Sequence, residues 1–427
     1  MQNNPIHSLI RPGLAEARPG LFIFVFSFCN LLSLLAIKHP KRQYPKFLRY
    51  LCYLCYLCYL CYFIYIYMIR LAVNGFGRIG RTAVRVLVEK QLPDLELVAI
   101  NTSGSMEIAG WAHLLKYDTA YGKFSHDIKV IHLKDAKDAA DNDPVIGQLM
   151  IEGLPAPVMV LAQKHPAKLP WKDYRVDIVI ESTGVFTSED KAKLHLVAGA
   201  KRVLISAPPK GGGIGTFVLG ANEYQSGEII SNASCTTNCV APVAAVLHSK
   251  FGIEKAALLT IHGYTDDQNL QDNSHRDLRR ARAAAQNLVP TTTGAAISTT
   301  ETIPELKGLF DGIAIRAPVI TGSISDITCI LKKPVTKEEV NQAFIEASKT
   351  PRWRGILAVT DEPLVSSDII GRPESAIVDL SLTQVVAGNL VKVLCWYDNE
   401  YGYCHRLIDQ ALAIGKTLSS SSTLNSP

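Results

Sequence analysis

Beyond residue 67 this chain has almost no net charge. Its 427 residues carry 44 Lys and Arg against 39 Asp and Glu, a formal +5. Residues 1–67 supply seven of the basic side chains and one Glu, +6, so the other 360 hold 37 basic and 38 acidic, −1. A body so balanced lacks the basic footprint that a nucleic-acid backbone selects, and no nucleic-acid partner is expected. Paired cysteines are missing too. Of ten, Cys29, Cys52, Cys55, Cys58 and Cys61 lie in the leader, and Cys235, Cys239, Cys329, Cys395 and Cys404 are scattered through the rest. That spacing offers no zinc site, so no metal is expected, and it suits a reducing cytoplasm. Long apolar runs are scarce. Leu21–Ile37 is at the lower limit for a membrane span and contains Asn30.

Residues 1–67 differ in composition from the rest of the chain. Leu51–Tyr62 is Leu-Cys-Tyr repeated four times. One reading is a membrane anchor or signal segment, with Tyr53, Tyr56, Tyr59 and Tyr62 as an interfacial belt. Against it stand the three-residue period, which is not helical, and the lack of a small-residue cleavage site. The repeat stops just before Met68 and a good first strand. The expectation is translated upstream sequence, with the protein proper beginning Met68-Ile69-Arg70-Leu71.

What is present begins with a strand at Ile69–Val73, the loop Gly75-Phe76-Gly77-Arg78-Ile79-Gly80, a helix over Arg81–Lys90 and a strand at Glu96–Ile100. A lone Gly-x-Gly-x-x-Gly is a weak signal whose bland reading is a tight turn. Inside a β-α-β unit, glycines allow a pyrophosphate to approach the backbone, and the helix N-terminus favours its charge. Strands at Val176–Glu181 and Arg202–Ser206 flank a helix at Asp190–Ala198, continuing an α/β, Rossmann-type pattern with a parallel sheet. The charged stretch His132–Pro144 reads as a surface insertion.

After residue 235 the grammar changes. Strands are expected at Ala257–His262, Gly312–Ala317, Asp326–Lys332, Ala376–Leu380 and Leu390–Trp396, with one long helix, Lys337–Lys349, opened by a Thr336/Glu339 capping box. This predicts an α+β catalytic domain with a mixed or antiparallel sheet. The expected organisation is a dinucleotide-binding domain at 68–234, a catalytic domain at 235–402, a helix at 403–418 that packs back on the first domain, and a disordered tail at 419–427.

The densest signal is Ser231-Asn232-Ala233-Ser234-Cys235-Thr236-Thr237-Asn238-Cys239, before a helical run. A thiol at a helix N-terminus, among hydroxyl and amide groups, is set up as a nucleophilic thiolate. At the end of the second strand, an NAD site usually has a carboxylate for the ribose hydroxyls. Here the sequence is Asn101-Thr102-Ser103-Gly104-Ser105, which removes a repulsion from a 2′-phosphate and predicts use of NADP or both NAD and NADP.

Together with Asn74–Arg81 and Trp396-Tyr397-Asp398-Asn399-Glu400-Tyr401-Gly402-Tyr403, the cysteine motif resembles glyceraldehyde-3-phosphate dehydrogenase of the bacterial and organellar type, from Met68 to about Lys416. The resemblance implies a homotetramer and a phosphorylating oxidation through a thioester on Cys235, with His262 as base. It implies a substrate-phosphate site at Thr265, Asp267 and Arg316, with Asp267 orienting a basic residue. It implies an inorganic-phosphate site at Ser234, Thr236, Arg280, Thr293 and Gly294. Cofactor contacts are implied at Asn74, Gly75, Phe76, Gly77, Arg78, Ile79 and Gly80; at Asn101 and Thr102; at Ser182, Thr183 and Gly184; and at Ser206, Asn399 and Tyr403. Inorganic phosphate is a co-substrate. Arg279 and Arg282 read as solvated charges, and Cys239 as structural or a minor oxidation partner.

The sequence departs from the family in four places. Thr102 stands where NAD-specific members have aspartate, and Asn273-Ser274 where they have Leu-Pro, in a loop that in this family reaches a neighbouring subunit's adenine ribose. Gly263 replaces a serine and Ile297 a lysine. Two alternatives stand beside the main reading: erythrose-4-phosphate dehydrogenase, which deacylates with water, and a membrane-tethered redox sensor.

Overall fold

The computed structural model describes residues 68–423 except Gln225, with side chains described to Leu418. The leader, including its suggested repeat, anchor and upstream-sequence readings, lies outside the described residues. So do residues 424–427.

The first sheet grows outward from β1 (Ile69–Asn74), which is buried on both faces. The other strands of this half are β2 (Leu95–Thr102), β5 (Ile128–His132), β6 (Val145–Ile151), β7 (Val158–Ala162), β8 (Ile178–Glu181), β9 (Arg202–Ile205), β10 (Gly215–Thr216) and β11 (Ile229–Ser231). A two-stranded ribbon, β3 (Tyr117–Asp118) and β4 (Gly122–Lys123), stands apart. The nine-stranded order is β10-β11-β9-β8-β1-β2-β7-β6-β5. Pairings from β10 through β7 are parallel, and β6 and β5 add on antiparallel. Near-continuous apolar strands suit a sheet covered on both faces. Strand order reverses between β1 and β8, which opens a crevice at their carboxyl ends. The stretch expected as a surface insertion joins β5 to β6, with a short 3-10 turn at Ala136–Asp138 and mostly exposed side chains.

Three helices belong to this half: α1 (Arg78–Lys90), α2 (Ile108–Lys116) and α3 (Glu189–Val197). The second half begins with α4 (Cys235–Phe251) and continues with β12 (Ile253–Gly263), β13 (Val289–Thr292), α5 (Ala295–Thr302), β14 (Phe310–Ala317), β15 (Ser323–Leu331), α6 (Lys337–Ser348), β16 (Leu357–Thr360), β17 (Ala376–Asp379), β18 (Gln384–Val386) and β19 (Leu390–Tyr397). Its sheet runs β13-β14-β12-β15-β19-β17-β16, with β18 on β19. It is mixed: β12 pairs parallel with β14 and antiparallel with β15. Along β15 every second residue is buried, so Ile327, Cys329 and Leu331 join the core beneath α4. The Thr336–Glu339 capping box opens α6 as the sequence predicts.

The last helix, α7 (Tyr401–Thr423), returns to the first sheet, where Cys404, Leu407, Ile408, Ala411 and Ile414 share a core with Ile69 and Leu71. The disordered tail expected from 419 is corrected as far as residue 423, because the helical backbone continues through Ser419–Thr423. Serine is only moderately unfavourable in a helix, so an established helix can extend through a polar run.

Candidate active site

The glycine loop lies at the switch point of the first sheet. Gly75 has φ +97°, and a Cβ there would come within 2.8 Å of the Ser182 and Thr183 backbone. A Cβ on Gly80 would stand 2.0 Å from the Gly75 carbonyl, so α1 can approach the loop only without a side chain. Gly77 and Gly184 have open space where a Cβ would be. Gly77 is the N-cap of α1 and no side chain caps that helix. Its first-turn N–H groups and partial positive charge therefore suit a pyrophosphate, and the cradle fits a dinucleotide.

Several residues expected to touch the cofactor support the cradle from behind. The Ser182 hydroxyl donates to the carbonyls of Asn74 and Gly75. Buried Asn74 receives a hydrogen bond from Asn101 and donates to Glu181 at 2.5 Å. Phe76 is buried and packs against Trp111. The Arg78 side chain is held by Asp118 and Glu400, leaving the residue's backbone and Ile79 at the helix start. Thr183 and Gly184 are exposed at the rim, with Ser206 half-buried beside them. Thr102 needs a correction: it is buried, and its hydroxyl donates to the Leu161 carbonyl. The exposed hydroxyls are those of Ser103 and Ser105, which bond to each other across Gly104.

Cys235 is the first residue of α4, with Ser234 as a true N-cap whose hydroxyl accepts the Thr237 N–H. The residue before the cap, Ala233, has φ +55°, a left-handed conformation that costs a non-glycine residue about 1–3 kcal/mol. Tyr403 donates its hydroxyl to the Ala233 carbonyl, and Ser231 accepts the Ala233 N–H. This strained, pinned turn presents the Cys235 sulfur 3.3 Å from His262 Nε2, at the end of β12. Tyr403 thus supports the nucleophile's turn; it was expected at the cofactor.

Electrostatics differ from the thiolate expected at a helix start. Burial raises the Cys235 thiol above its ordinary value, opposed by the Arg316 charge and by hydrogen bonds from Thr236. Burial also pushes His262 down to about 3, with Arg316 adding to the effect. Both groups are therefore neutral at rest. Nδ1 of His262 is 2.6 Å from the Gly263 carbonyl and 2.7 Å from Arg316 Nη1. The first contact needs a proton on Nδ1 and the second needs a lone pair there. Only the first leaves Nε2 free to accept the thiol proton.

The expected phosphate ligands fall around this pair. Arg316 extends from β14, beside His262 on β12 in the sheet register. Arg280 Nη1 pairs with Asp267 at 2.6 Å, and its other nitrogens bond Thr291, so Asp267 orients a guanidinium. Thr293 and Gly294 form the start of α5, where the Thr293 hydroxyl accepts the Ala295 N–H. Thr265 is half-buried, with its N–H on Gln268. Ser234 and Thr236 both have hydroxyls already engaged, with Thr237 and Tyr397 respectively. Arg282 is exposed and pairs with Asp272. Asn399 is buried, and its Oδ1 accepts from Thr321 and Ser323, which turns its NH₂ outward as a donor.

Three supports escaped the sequence reading. Glu181 is fully buried and holds Asn74, Thr183 and His195, with Trp171 closing the chain on His195 Nδ1. Asp398 gathers Tyr121, Thr321, Gly371 and the N–H groups of Glu400 and Tyr401. Tyr397 bridges Thr236 and Thr260. Apart from Thr183, Glu400 and Tyr401, which are neighbours in sequence, their partners lie 14 to 277 residues away, so only the fold brings them together. Among the described residues no helix is long and apolar enough to cross a membrane.

Comparison with known proteins agrees with this geometry. Residues 69–189 match the family profile described as glyceraldehyde 3-phosphate dehydrogenase, NAD binding domain, and residues 234–399 match the corresponding C-terminal domain. Glyceraldehyde-3-phosphate dehydrogenase of Streptomyces coelicolor is 48% identical over 354 residues, 82% of this chain and 99% of the relative. That of Mycobacterium avium is 48% identical over 356 residues, again 82% and 99%. Glyceraldehyde-3-phosphate dehydrogenase 2 of Trichormus variabilis is 48% identical over 348 residues, 81% and 98%. With a glycine cradle at the switch point and a paired cysteine and histidine at the second sheet, the chain belongs to the glyceraldehyde-3-phosphate dehydrogenase family.

Proposed function

We propose that this chain oxidises glyceraldehyde 3-phosphate reversibly to 1,3-bisphosphoglycerate, with phosphate as co-substrate. The observation that carries this reading is Cys235 Sγ at 3.3 Å from His262 Nε2, with Arg316 against the far ring nitrogen. An incoming phosphate dianion competes for Arg316. As the guanidinium leaves the ring, Nδ1–H donates to Gly263 and Nε2 becomes the base. The Cys235 sulfur attacks the aldehyde carbon while Nε2 takes the thiol proton, giving a thiohemiacetal. The Cys235 backbone N–H and the imidazolium stabilise the oxyanion; His262 returns its proton to that oxygen to complete the hydroxyl, and the same ring takes the proton back as the hydride leaves the carbon. When bound, the nicotinamide accepts the hydride. The resulting thioester is attacked by phosphate held by Arg280, Thr293 and Gly294, and the acyl phosphate leaves as Cys235 regains its proton.

Asn399 donates to the nicotinamide carboxamide and selects the ring face. Ser103, Gly104 and Ser105 in place of a carboxylate support NADP use alongside NAD. Exposed apolar side chains at Leu270, Leu278, Leu288, Ile297 and Ile313 support a homotetramer, because a lone chain would leave them in water. Five free cysteines among the described residues suit the cytoplasm. The two domains meet at residue 234, with α7 belonging to the first. Steady-state oxidation of glyceraldehyde 3-phosphate and erythrose 4-phosphate, each with and without phosphate, tests the reading. Strict phosphate dependence with the triose is expected; equal turnover without phosphate would reject it.

A further inference from the structure

Glu181 ends β8 at the switch point and is 1% exposed, yet no step of the reaction uses it. Its Oε2 accepts from Asn74 Nδ2 at 2.5 Å and lies 3.0 Å from His195 Nε2. Its Oε1 accepts the Thr183 N–H at 2.8 Å and the Thr183 hydroxyl. Asn74 and Thr183 flank the tightest approach in the cradle, where a Cβ on Gly75 would come within 2.8 Å of the Thr183 backbone nitrogen. One carboxylate therefore holds both walls of the crevice.

The direction of every bond is set by a group that can only donate. The Gln163 N–H donates to Asn101 Oδ1, so the Asn101 amide nitrogen gives to Asn74 Oδ1, and Asn74 Nδ2 faces Glu181. The Val185 N–H donates to the Thr183 hydroxyl, whose own proton goes to Glu181. The Trp171 indole N–H donates to His195 Nδ1 at 2.9 Å, which leaves the ring proton on Nε2, against the carboxylate. Asn74 Nδ2 is also 3.5 Å from that nitrogen, but gives its proton to the nearer oxygen. Glu181 thus accepts four hydrogen bonds and donates none. An amide of the same shape cannot replace it, because its NH₂ would meet either the Thr183 N–H or the Asn74 and His195 donors.

The geometry points to Glu181 as a positioning residue for the dinucleotide: by accepting from both walls it sets the spacing of Asn74–Gly75 against Thr183–Gly184, and with it the fit of the cradle. The inference rests on the proposed function only in taking that cradle as the seat of the dinucleotide. Charge and positioning predict opposite signs. A buried carboxylate repels an anionic ligand, so on charge alone Glu181→Gln should tighten binding. A carboxylate that holds the walls makes the same change weaken it.

The test is titration of the full chain with NADH and NADPH, together with steady-state oxidation of glyceraldehyde 3-phosphate. In Glu181→Gln the Kd and KM of the dinucleotide should rise about tenfold or more, the effect of one buried donor left unpaired. At saturating dinucleotide, kcat and the KM for the triose phosphate should stay within about twofold of native, since only dinucleotide binding is lost. His195→Leu removes one donor from the carboxylate and should show the same split. His195→Gln can place its amide nitrogen where Nε2 stands and should restore native binding; this pair decides where Glu181→Gln fails to fold. Dinucleotide bound as tightly or more tightly by Glu181→Gln would overturn the proposal, as would losses spread equally over kcat and both KM values. Native protein that binds NADH without oxidising the triose phosphate would instead overturn the proposed function, and the titrations would still decide the role of Glu181.

Discussion

Burial dominates the charge state of both reacting residues, and its consequences can be measured. His262 is 4% exposed and titrates at about 3 in the folded chain, against 6.5 when unfolded. Between these values the unfolded state binds the extra proton. Stability from this group is therefore complete above pH 6.5 and is lost as pH falls toward 3, at about 1.4 kcal/mol per unit. The urea midpoint should drop between pH 6.5 and 4.5, and drop less in His262→Asn. That variant should also lose about 10²- to 10⁴-fold in kcat, the usual worth of a general base. Cys235→Ala should accumulate no acyl-enzyme in single-turnover experiments. Cys239→Ala should keep most activity, since Cys239 is buried against Cys395. The pairing of Cys235 with His262, proposed as nucleophile and base, was legible because a nine-residue motif names one and a short strand motif the other. The neutral resting pair was not, since desolvation and the Arg316 contact exist only after folding. Thr102 misled for a related reason: its side chain type suggested a ligand contact, while the pairing of β2 with β7 turns its hydroxyl onto Leu161.

Among elements, the glycine loop and α1 separate what folding needs from what binding needs. Gly80→Ala drives a methyl into the Gly75 carbonyl, so α1 must shift from the cradle. Loss of thermal stability together with loss of dinucleotide binding is expected, seen by calorimetry and by fluorescence titration. Gly77→Ala meets no protein atom. Its melting temperature should stay within a few degrees of native while the dinucleotide Kd rises at least about tenfold, because the methyl occupies the space a pyrophosphate would take. Equal Kd values for native protein and Gly77→Ala would mean that the open side of the loop is not the binding side. Strand-helix alternation made the central β1, β2, β8 and β9 readable, along with α1, α3 and α6, to within a few residues. The edge strand β5 was hidden because its exposed side chains, Lys129 and His132 among them, resemble a loop. Short β13 and β18 were hidden because three or four residues hold no period.

At the scale of the whole molecule, one surface remains to be accounted for. Leu278 is 81% exposed and Ile313 54%, and both line a shallow concavity with Pro290 and Thr292 on the open side of the second sheet. The same loop region carries Asn273-Ser274, exposed at its tip, in place of the Leu-Pro pair of NAD-specific members. If that loop reaches a neighbouring chain's cofactor, assembly and cofactor choice are coupled. Protein beginning at Met68 should sediment as a tetramer. Ile313→Lys places an ammonium in the apolar face at a cost of several kcal/mol per interface, on the order of a buried unpaired charge, and should yield smaller species. In those species the NADPH Kd should rise more than the NADH Kd, because the partner's loop no longer meets the adenine ribose. A variant that remains tetrameric would show that this face is not an interface. One that dissociates with the ratio of the two Kd values unchanged would show that Ser103, Gly104 and Ser105 set cofactor choice within a single chain.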